Sequence, residues 1–402
     1  PHGYCYICEN LSEPIFMMKQ LLFVFLGILL TGSQVYGQCI PRDPANPSLG
    51  YILPDGSPCP NAIITAVPFL MITPDARSGA MGDVGIAISP DANSMAFNSS
   101  KLAFVDESSS LSATYSPWLR ALGLRDVYMA YLSGYKKINE LQSVGASLRF
   151  FSLGDIDFTD ENGEPAGQGQ PNEFELSAAY ARKLSEKFSA GLTMKFIYSN
   201  LAANQVVEGR DIKAGLAGAA DLSFSYISPV DNGTIRAGLA LRNLGTKISY
   251  TQDVNDFIPA NFGLGFAYDI DLDDFNSLTV AVDMNKLMVP TPPYSGSTDY
   301  KKKSVVSSWF SSFGDGIDFS EELHEINYSI GAEYWYDKQF AVRLGYFYEH
   351  PTKGARNYLT VGLGVKYNVF GLNLSYLVPT SNQRNPLDNT LRFGLVFDFG
   401  GE

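Results

Sequence analysis

The last predicted strand constrains the fold most strongly, because its two faces have opposite character. Alternate residues from Leu391 to Phe399 are large and apolar, whereas the positions between them include Arg392 and Asp398. This combination suits a strand that has lipid on one side and a wet lumen on the other. It therefore predicts a transmembrane β-strand, although a single such segment could equally be the edge strand of a soluble sandwich.

The same period of two recurs along the chain, which argues against the soluble sandwich. An even number of segments of about 10 residues is what tilted strands need to cross a bilayer. The sequence therefore predicts an all-β membrane protein, a 14-stranded antiparallel transmembrane β-barrel with an N-terminal plug. The predicted strands are 110–118, 126–135, 143–152, 173–182, 188–198, 214–226, 234–243, 261–269, 277–285, 327–336, 340–348, 358–367, 370–378 and 390–399.

The connections between these segments alternate between long and short, as in barrels with long outer loops and short periplasmic turns. The longest predicted outer loop is 286–326, and the first two connections, which are equal in length, are the only exception. The net charge of −13 argues against nucleic acid as a partner. The 23 Tyr and 26 Phe, many of them at strand ends, fit aromatic girdles at the membrane interfaces.

The N-terminus predicts export to the bacterial outer membrane. Residues 18–37 resemble a secretory signal peptide, with Lys19 before an apolar run too short to span, and residues 1–17 read as an upstream extension that is not native. Cys39 and Cys59 are a candidate disulfide in an exported chain. A lipoprotein with an acylated Cys39 is the alternative.

Three further regions follow the signal peptide. Residues 38–66 are rich in Pro, Asn and Gly and are predicted to be an irregular periplasmic segment. Residues 67–109 are too glycine-rich for a spanning strand and are predicted to form a plug inside the barrel, which occupies 110–402. The glycines of this segment also resemble a phosphate-binding loop, but no βαβ unit or following Lys-Ser/Thr supports that function.

The plug segment carries a resemblance to a known family. The run 69–98 and the segment 115–120, Tyr-Ser-Pro-Trp-Leu-Arg, resemble the PorV family of the Bacteroidetes type IX secretion system, whose fold is that of the fatty acid channel FadL. The chain departs from the family at 98–100, where Asn-Ser-Ser stands in place of Asn-Pro-Ala, and in the long loop. The plug motif residues are Pro74, Asp75, Arg77, Gly79, Met81, Gly82 and Asp83.

The resemblance implies protein secretion. PorV-like proteins associate with an SprA-type translocon, receive type IX substrates through their C-terminal signal domains and carry them to a PorU-type sortase complex. The surroundings would be outer-membrane lipid and lipopolysaccharide. The alternative function is a FadL-like channel for hydrophobic small molecules.

The lumen favours secretion over the channel, because its predicted inner face carries charges of both signs, which suit an internal ion-pair network better than a fatty-acid path. The inward basic residues are Arg149, Lys195, Arg236, Arg242, Arg343 and Lys366, and the acidic ones are Glu173, Glu175, Asp221, Asp283 and Glu333.

The loop 286–326 contains the candidate partner-binding residues. Apolar side chains on an outer loop are costly to leave in water unless they pack on something. They could contact a partner or form a cap over the barrel's own mouth. These residues are Val305, Val306, Trp309, Phe310 and Phe313.

No catalytic residue, cofactor or metal site is predicted. His324 and His350 are the only histidines after the signal peptide, and no GxSxG or HExxH motif accompanies them. The oxygen-rich run 155–162 could bind Ca²⁺, but its spacing is not that of an EF-hand, and a solvated acidic loop tip is the simpler interpretation.

Overall fold

The computed structural model describes residues 40–41, 51–53, 59–120, 123–159, 165–202, 206–207, 210–251, 254–294, 297–380 and 389–400. The chain divides into two compact units, residues 1–59 and 60–402. In the first unit, Ile40–Pro41 pairs with Tyr51–Ile52 in a short antiparallel ladder. Cys59 is disulfide-bonded. Cys39 lies outside the described residues, so its pairing with Cys59 stays a prediction.

The second unit is a closed barrel of fourteen antiparallel strands, which confirms the predicted fold class. Each strand pairs with its neighbours in sequence, and the last strand pairs with the first. The strands are β1 Ser109–Pro117, β2 Val127–Asn139, β3 Gln142–Leu153, β4 Asn172–Lys183, β5 Phe188–Asn200, β6 Gly215–Val230, β7 Gly233–Gly245, β8 Asn261–Asp271, β9 Asn276–Leu287, β10 Ile326–Tyr336, β11 Phe340–Tyr348, β12 Asn357–Tyr367, β13 Phe370–Pro379 and β14 Leu391–Phe399.

The two faces of the wall follow the predicted alternation. In β14, Leu391, Phe393 and Leu395 are exposed on the outside, whereas Arg392 between them is buried. The inward charges form ion pairs, such as Lys195 with Asp221 at 2.7 Å. Lipid faces the apolar side, so the barrel keeps a polar interior within an apolar belt.

The ends of the barrel differ, because the chain turns tightly at one end and in long loops at the other. The tight turns are 140–141, 184–187, 231–232, 272–275, 337–339 and 368–369; the loops are 118–126, 154–171, 201–214, 246–260, 288–325, 349–356 and 380–390. The first two connections, which were predicted to be equal in length, thus also follow the alternation between a long loop and a short turn. By the rule for outer-membrane barrels, the long-loop end faces outward.

Short elements decorate the long-loop end. Two small hairpins pair Ile156–Thr159 with Pro165–Gly169 and Val206–Val207 with Arg210–Asp211. The loop 288–325 holds a 3₁₀ turn, Asp299–Lys302, and two helices that we return to below. Among the described residues, no helix has both the length and the apolar character to span a membrane.

The segment before β1 fills the barrel interior as a plug built of short helices. These are the 3₁₀ turn Pro68–Met71, helix α1 Ala76–Gly79, and the 3₁₀ turns Ala92–Ala96 and Ser99–Phe104. Most of their residues are buried. Asp91 caps the third of these elements with a capping box that Ser94 closes.

The chain enters the barrel from the long-loop end. The backbone N–H of Asn61 donates to the carbonyl of Thr352, and that of Ala66 donates to the carbonyl of Phe257, both in long loops. At the other end of the plug, the carbonyl of Ser108 accepts from the backbone N–H of Lys137, which lies near the short-turn end of β2. Residues 60–66, the end of the segment expected to be periplasmic, thus lie at the long-loop end, and the compartment of 38–66 stays a prediction. Composition marked this segment as irregular but carried no information about which end of the barrel it meets.

Candidate functional site

The plug motif is centred on Arg77, which ties the plug to the barrel wall. Its guanidinium donates twice to the carboxylate of Glu333 in β10, at 2.7 and 3.0 Å, and once to Asp91 at 3.1 Å. Glu333 also accepts from Arg343 of β11 at 2.6 Å. One buried carboxylate thus pairs with two buried arginines, and fork-shaped pairing of this kind fixes geometry as well as charge.

The residues around Arg77 shape the turn that presents it. Asp75 caps α1 by accepting from the backbone N–H of Ser78 at 2.8 Å. Pro74, directly before it, is buried. Gly79 lies against the side chain of Arg392, and a Cβ at position 79 would meet the Arg392 Nη1 atom at 2.8 Å. The motif is therefore a compact helical turn that packs against the last strand.

The run Met81-Gly82-Asp83 brings the plug backbone into direct contact with the wall backbone. A Cβ at Gly345 of β11 would lie 1.9 Å from the Gly82 nitrogen. Gly82 itself has a φ of +67°, and its N–H donates to the hydroxyl of Thr360 at 2.8 Å. Asp83 accepts from the Tyr358 hydroxyl at 2.6 Å. Glycine is required on both sides of this contact, because neither backbone leaves room for a side chain.

Other plug contacts were not predicted from the sequence. Asp283 of β9 accepts from the backbone N–H groups of Gly85 and Ile86 at 2.7 and 2.9 Å. In β6, three strands away from β9, the hydroxyl of Ser223 accepts from the Ser100 N–H at 3.1 Å. Asp283 stood among the predicted inward charges, but nothing in the sequence indicated that the plug backbone would be its partner.

The third anchor is Arg149 of β3, which donates to the carbonyls of Phe69 and Leu70 at 3.2 and 2.9 Å. The plug is therefore bonded to several strands between β3 and β12. Two cavities lie on either side of it, one of about 80 Å³ towards the long loops and one of about 720 Å³ at the short-turn end. The plug separates them.

The candidate partner-binding residues lie on the longest loop, where helix α2 Val305–Ser311 and helix α3 Phe319–His324 follow each other. Val306, Phe310 and Phe313 are exposed, and Phe310 is 76% exposed. Val305 and Trp309 are half-buried. The structure thus groups all five predicted residues on or beside α2.

On helix α3 and just before it lie exposed apolar side chains that the sequence analysis did not select. Ile317, Phe319 and Leu323 are also exposed, Phe319 by 77%. We call Val305, Val306, Trp309, Phe310, Phe313, Ile317, Phe319 and Leu323 the outer apolar surface. A search for every apolar residue between the two predicted strands would have found the three that were missed.

The outer apolar surface adjoins the lipid-facing wall. The Phe313 ring packs edge-on against Phe262 with centroids 5.7 Å apart. Phe262 pairs with Lys286 across β8 and β9, on the face opposite the inward Asn261 and Asn285. Phe313 therefore touches the outside of the barrel at its outer rim.

Charged residues hold the loop in this position. Lys286 pairs with Glu322 at 3.1 Å and with Glu325, while Lys353 of the neighbouring loop pairs with Glu321 and Glu325 at 2.8 and 3.0 Å. Burial would raise the pKa of Glu321, but the Lys353 ammonium holds it below its usual value. Asp315, Glu322 and Glu325 lie close enough to share a cation, yet the lysines already neutralise two of them.

The two histidines stack on each other between the loops. The rings of His324 and His350 are parallel, with centroids 3.6 Å apart. Burial lowers the pKa of His350, and the neighbouring His324 and Lys353 lower it further. In the run considered for Ca²⁺, Asp157 accepts from Gln168 at 2.8 Å, whereas residues 160–162 lie outside the described residues.

The family assignment rests on the sequence between residues 58 and 294, which matches the family described as type IX secretion system protein PorV. This match covers more than half of the chain. The chain belongs to the PorV family. No curated protein matches it in sequence.

Solved structures show where else the fold occurs. The toluene transporter TodX of Pseudomonas putida is similar with a TM-score of 0.53 at 11% identity, covering 82% of this chain and 99% of TodX. The toluene transporter TbuX of Ralstonia pickettii has a TM-score of 0.50 at 12% identity, covering 81% of this chain and 98% of TbuX. At these identities the similarity concerns the fold alone, and it confirms a FadL-like outer-membrane barrel.

Proposed function

We propose that this protein acts as a shuttle in type IX secretion, binding a translocon of the SprA type and delivering substrates, by their C-terminal signal domains, to a sortase complex of the PorU type. Membership of the PorV family makes the protein an outer-membrane component of this secretion system. The steps of binding, carrying and delivery are our proposal. No chemistry is required of the protein in any of them.

The observation that carries the proposal is the way the plug is held. Arg77, Asp283 and Arg149 bond it to different strands, and at Gly345 its backbone rests directly on the wall. A substrate protein that passed through the lumen would have to break all of these contacts. The lumen therefore supports a fixed scaffold, and the work of binding partners falls to the outside.

The outer apolar surface is the proposed docking site. Its aromatic side chains are those that dominate protein interfaces when they become fully buried. Because Phe313 touches the lipid-facing Phe262, the surface can be reached sideways by a partner in the same membrane. The charge network around Lys286 and Lys353 holds the surface in place before binding, which reduces the entropy lost on docking.

The alternative is a channel for hydrophobic small molecules, and it rests on the fold shared with the toluene transporters. Two features oppose it. The interior pairs buried charges such as Arg343 with Glu333 and Lys195 with Asp221, where an apolar path would need apolar side chains. The plug also separates the two cavities.

Affinity purification of the tagged protein from native outer membranes distinguishes the two functions. The shuttle should recover a very large barrel protein or a sortase, in amounts comparable to the bait. A channel should recover no specific protein, and its deletion should slow uptake of hydrophobic solutes while secreted proteins still reach the cell surface. A deletion that leaves surface display intact would contradict the shuttle.

A further inference from the structure

The cavity on the long-loop side of the plug contains arginines that the protein itself does not satisfy. It has a volume of about 80 Å³, and Arg242, Arg356 and Arg392 line it. Of these, Arg356 is fully paired, because its guanidinium donates twice to Glu349 at 2.8 Å. The other two arginines are the unusual ones.

Arg392 is 1% exposed, and its Nε and Nη1 atoms have no hydrogen-bond partner. Within the described part of the chain it forms no ion pair. Arg242 donates to Asn285 and to the carbonyl of Ala96, but its buried Nε atom is also without a partner. Buried polar groups are almost always hydrogen-bonded, and a buried charge without a counter-charge is strongly unfavourable.

Two carboxylates line the same cavity, and each uses only one of its oxygens. Asp83 accepts from the Tyr358 hydroxyl, and Asp283 accepts from the plug backbone, in each case through Oδ2. Their Oδ1 atoms are buried without a partner. Two arginines and two aspartates that line the cavity thus keep unpaired donors and acceptors buried beside it.

We propose that this cavity binds a small oxyanion that also carries a hydroxyl group, with hydrogen phosphate as the best fit. Its charged oxygens accept from Arg392 and Arg242, and its hydroxyl donates to Asp83 or Asp283. A guanidinium favours an oxyanion of this kind, because it offers several donors in a fixed plane. A plain carboxylate satisfies the arginines but supplies no donor.

The position of Arg392 gives the bound anion a structural consequence. Arg392 belongs to β14, and its side chain lies against Gly79 of the plug. Asp83 belongs to the plug as well. An anion held between them joins the last strand to the plug, so it should stabilise the closed, plugged barrel. This inference is independent of the proposed role in secretion.

The test uses the purified full-length barrel and inorganic phosphate as the probe, at constant ionic strength held with sodium chloride. Loss of heat-modifiable migration reports unfolding. We expect the unfolding midpoint to rise with phosphate and then follow its logarithm, as for a ligand that binds only the folded state. Acetate should have a smaller effect. Direct titration should give an affinity at least about tenfold weaker in Arg392→Gln, which loses the charge.

Arg236→Gln is the matched control, because Arg236 is paired with Asp269 near the short turns and does not line this cavity. It should bind phosphate as the unmodified protein does. If Arg392→Gln fails to fold, Arg242→Gln takes its place with the same expectation. A midpoint that sodium phosphate and sodium chloride change equally would mean that the cavity holds water only and would overturn the proposal. Unchanged phosphate affinity in both variants would overturn it as well.

Discussion

The plug and the outer apolar surface differ in how far their side chains are buried. In the plug, Met81 is fully buried and Arg77 has all three guanidinium nitrogens bonded. On the outer loop, Phe310 and Phe319 are more than three-quarters exposed. Both regions are parts of the same barrel protein. The plug therefore packs its side chains against the barrel, whereas the outer apolar surface leaves aromatic side chains open to the partner that we propose for it.

The largest effect is expected on the outer apolar surface. Replacing Trp309, Phe310 and Phe313 together by Ser should weaken partner binding by several orders of magnitude, since each large apolar side chain contributes about 1.5 to 3 kcal/mol when fully buried. Co-purification of the translocon measures this. Heat-modifiable migration should be unchanged, because the three residues lie outside the spanning strands.

The matched control for the triple variant is Leu124→Ser, which removes an exposed apolar side chain from the loop 118–126. It should leave co-purification intact. Equal recovery of the translocon with the triple variant would mean that the loop serves only as a cover, and the docking surface would then be sought in the loops 154–171 and 246–260.

The second largest effect is expected where the plug is held to the barrel wall. Replacing Glu333 by Gln should destabilise the barrel by about 3 to 5 kcal/mol, because it leaves Arg343 buried without its counter-charge and Arg77 paired with Asp91 alone. Urea unfolding in lipid vesicles measures the free energy. Glu140→Gln, at an exposed ion pair with Lys137 in a short turn, should change it little. Equal unfolding curves for the two variants would show that the plug clamp contributes nothing.

A third change tests how tightly the plug fits. Gly345→Ala places a methyl group where the Gly82 nitrogen lies 1.9 Å away, so either the plug or β11 must move. Overpacking of this kind costs about 1 to 3 kcal/mol. We expect leakage of small solutes through the variant in vesicles. Gly218→Ala, where nothing lies within 4 Å, should remain tight. A tight Gly345→Ala barrel would mean that the plug adjusts freely.

The strands of the barrel wall could be predicted from the sequence better than the contacts of the plug inside it. Strand limits follow from a local period of two, so β11 was predicted at its observed limits, 340–348. The partner of Arg77 lies 256 residues away in β10, and nothing local encodes such a distance. The end of the barrel that residues 60–66 meet could not be predicted from the sequence for the same reason, because it depends on loops that come together only after the barrel closes.

The candidate partner-binding residues were predicted in part. The apolar composition of 305–313 was visible in the sequence, and the structure places it on a short helix at the outer rim. Phe319 and Leu323 were not predicted, because in the sequence they are interspersed with the charged residues of α3. Only the folded loop shows that the charged side of α3 faces Lys353 and Lys286 while the apolar side chains stay exposed.

The smallest effect is a dependence on pH at the junction between the two loops. The pKa of His350 lies below its usual value of 6.5 because of burial, His324 and Lys353. Because the pKa of His350 is lower in the closed contact than in the open one, the neutral imidazole favours the closed contact. This stabilisation is fully present above the pKa of the open state and is lost as the pH falls below that value. Glu321 and Glu325 face the same junction through Lys353, which neutralises part of their charge.

We therefore expect the loop 288–325 to loosen from the loop 349–356 as the pH falls below about 6.5, the ordinary pKa of histidine. Hydrogen exchange of the α3 amides should accelerate over that range, while the exchange of β10 stays unchanged. His350→Gln removes the titrating group and should abolish the pH dependence, whereas the Leu124→Ser variant should retain it. Exchange in α3 that is slower at pH 5 than at pH 8, after correction for the intrinsic rate, would contradict this prediction. It would mean that the nearby glutamates hold protonated His350 and strengthen the junction in acid.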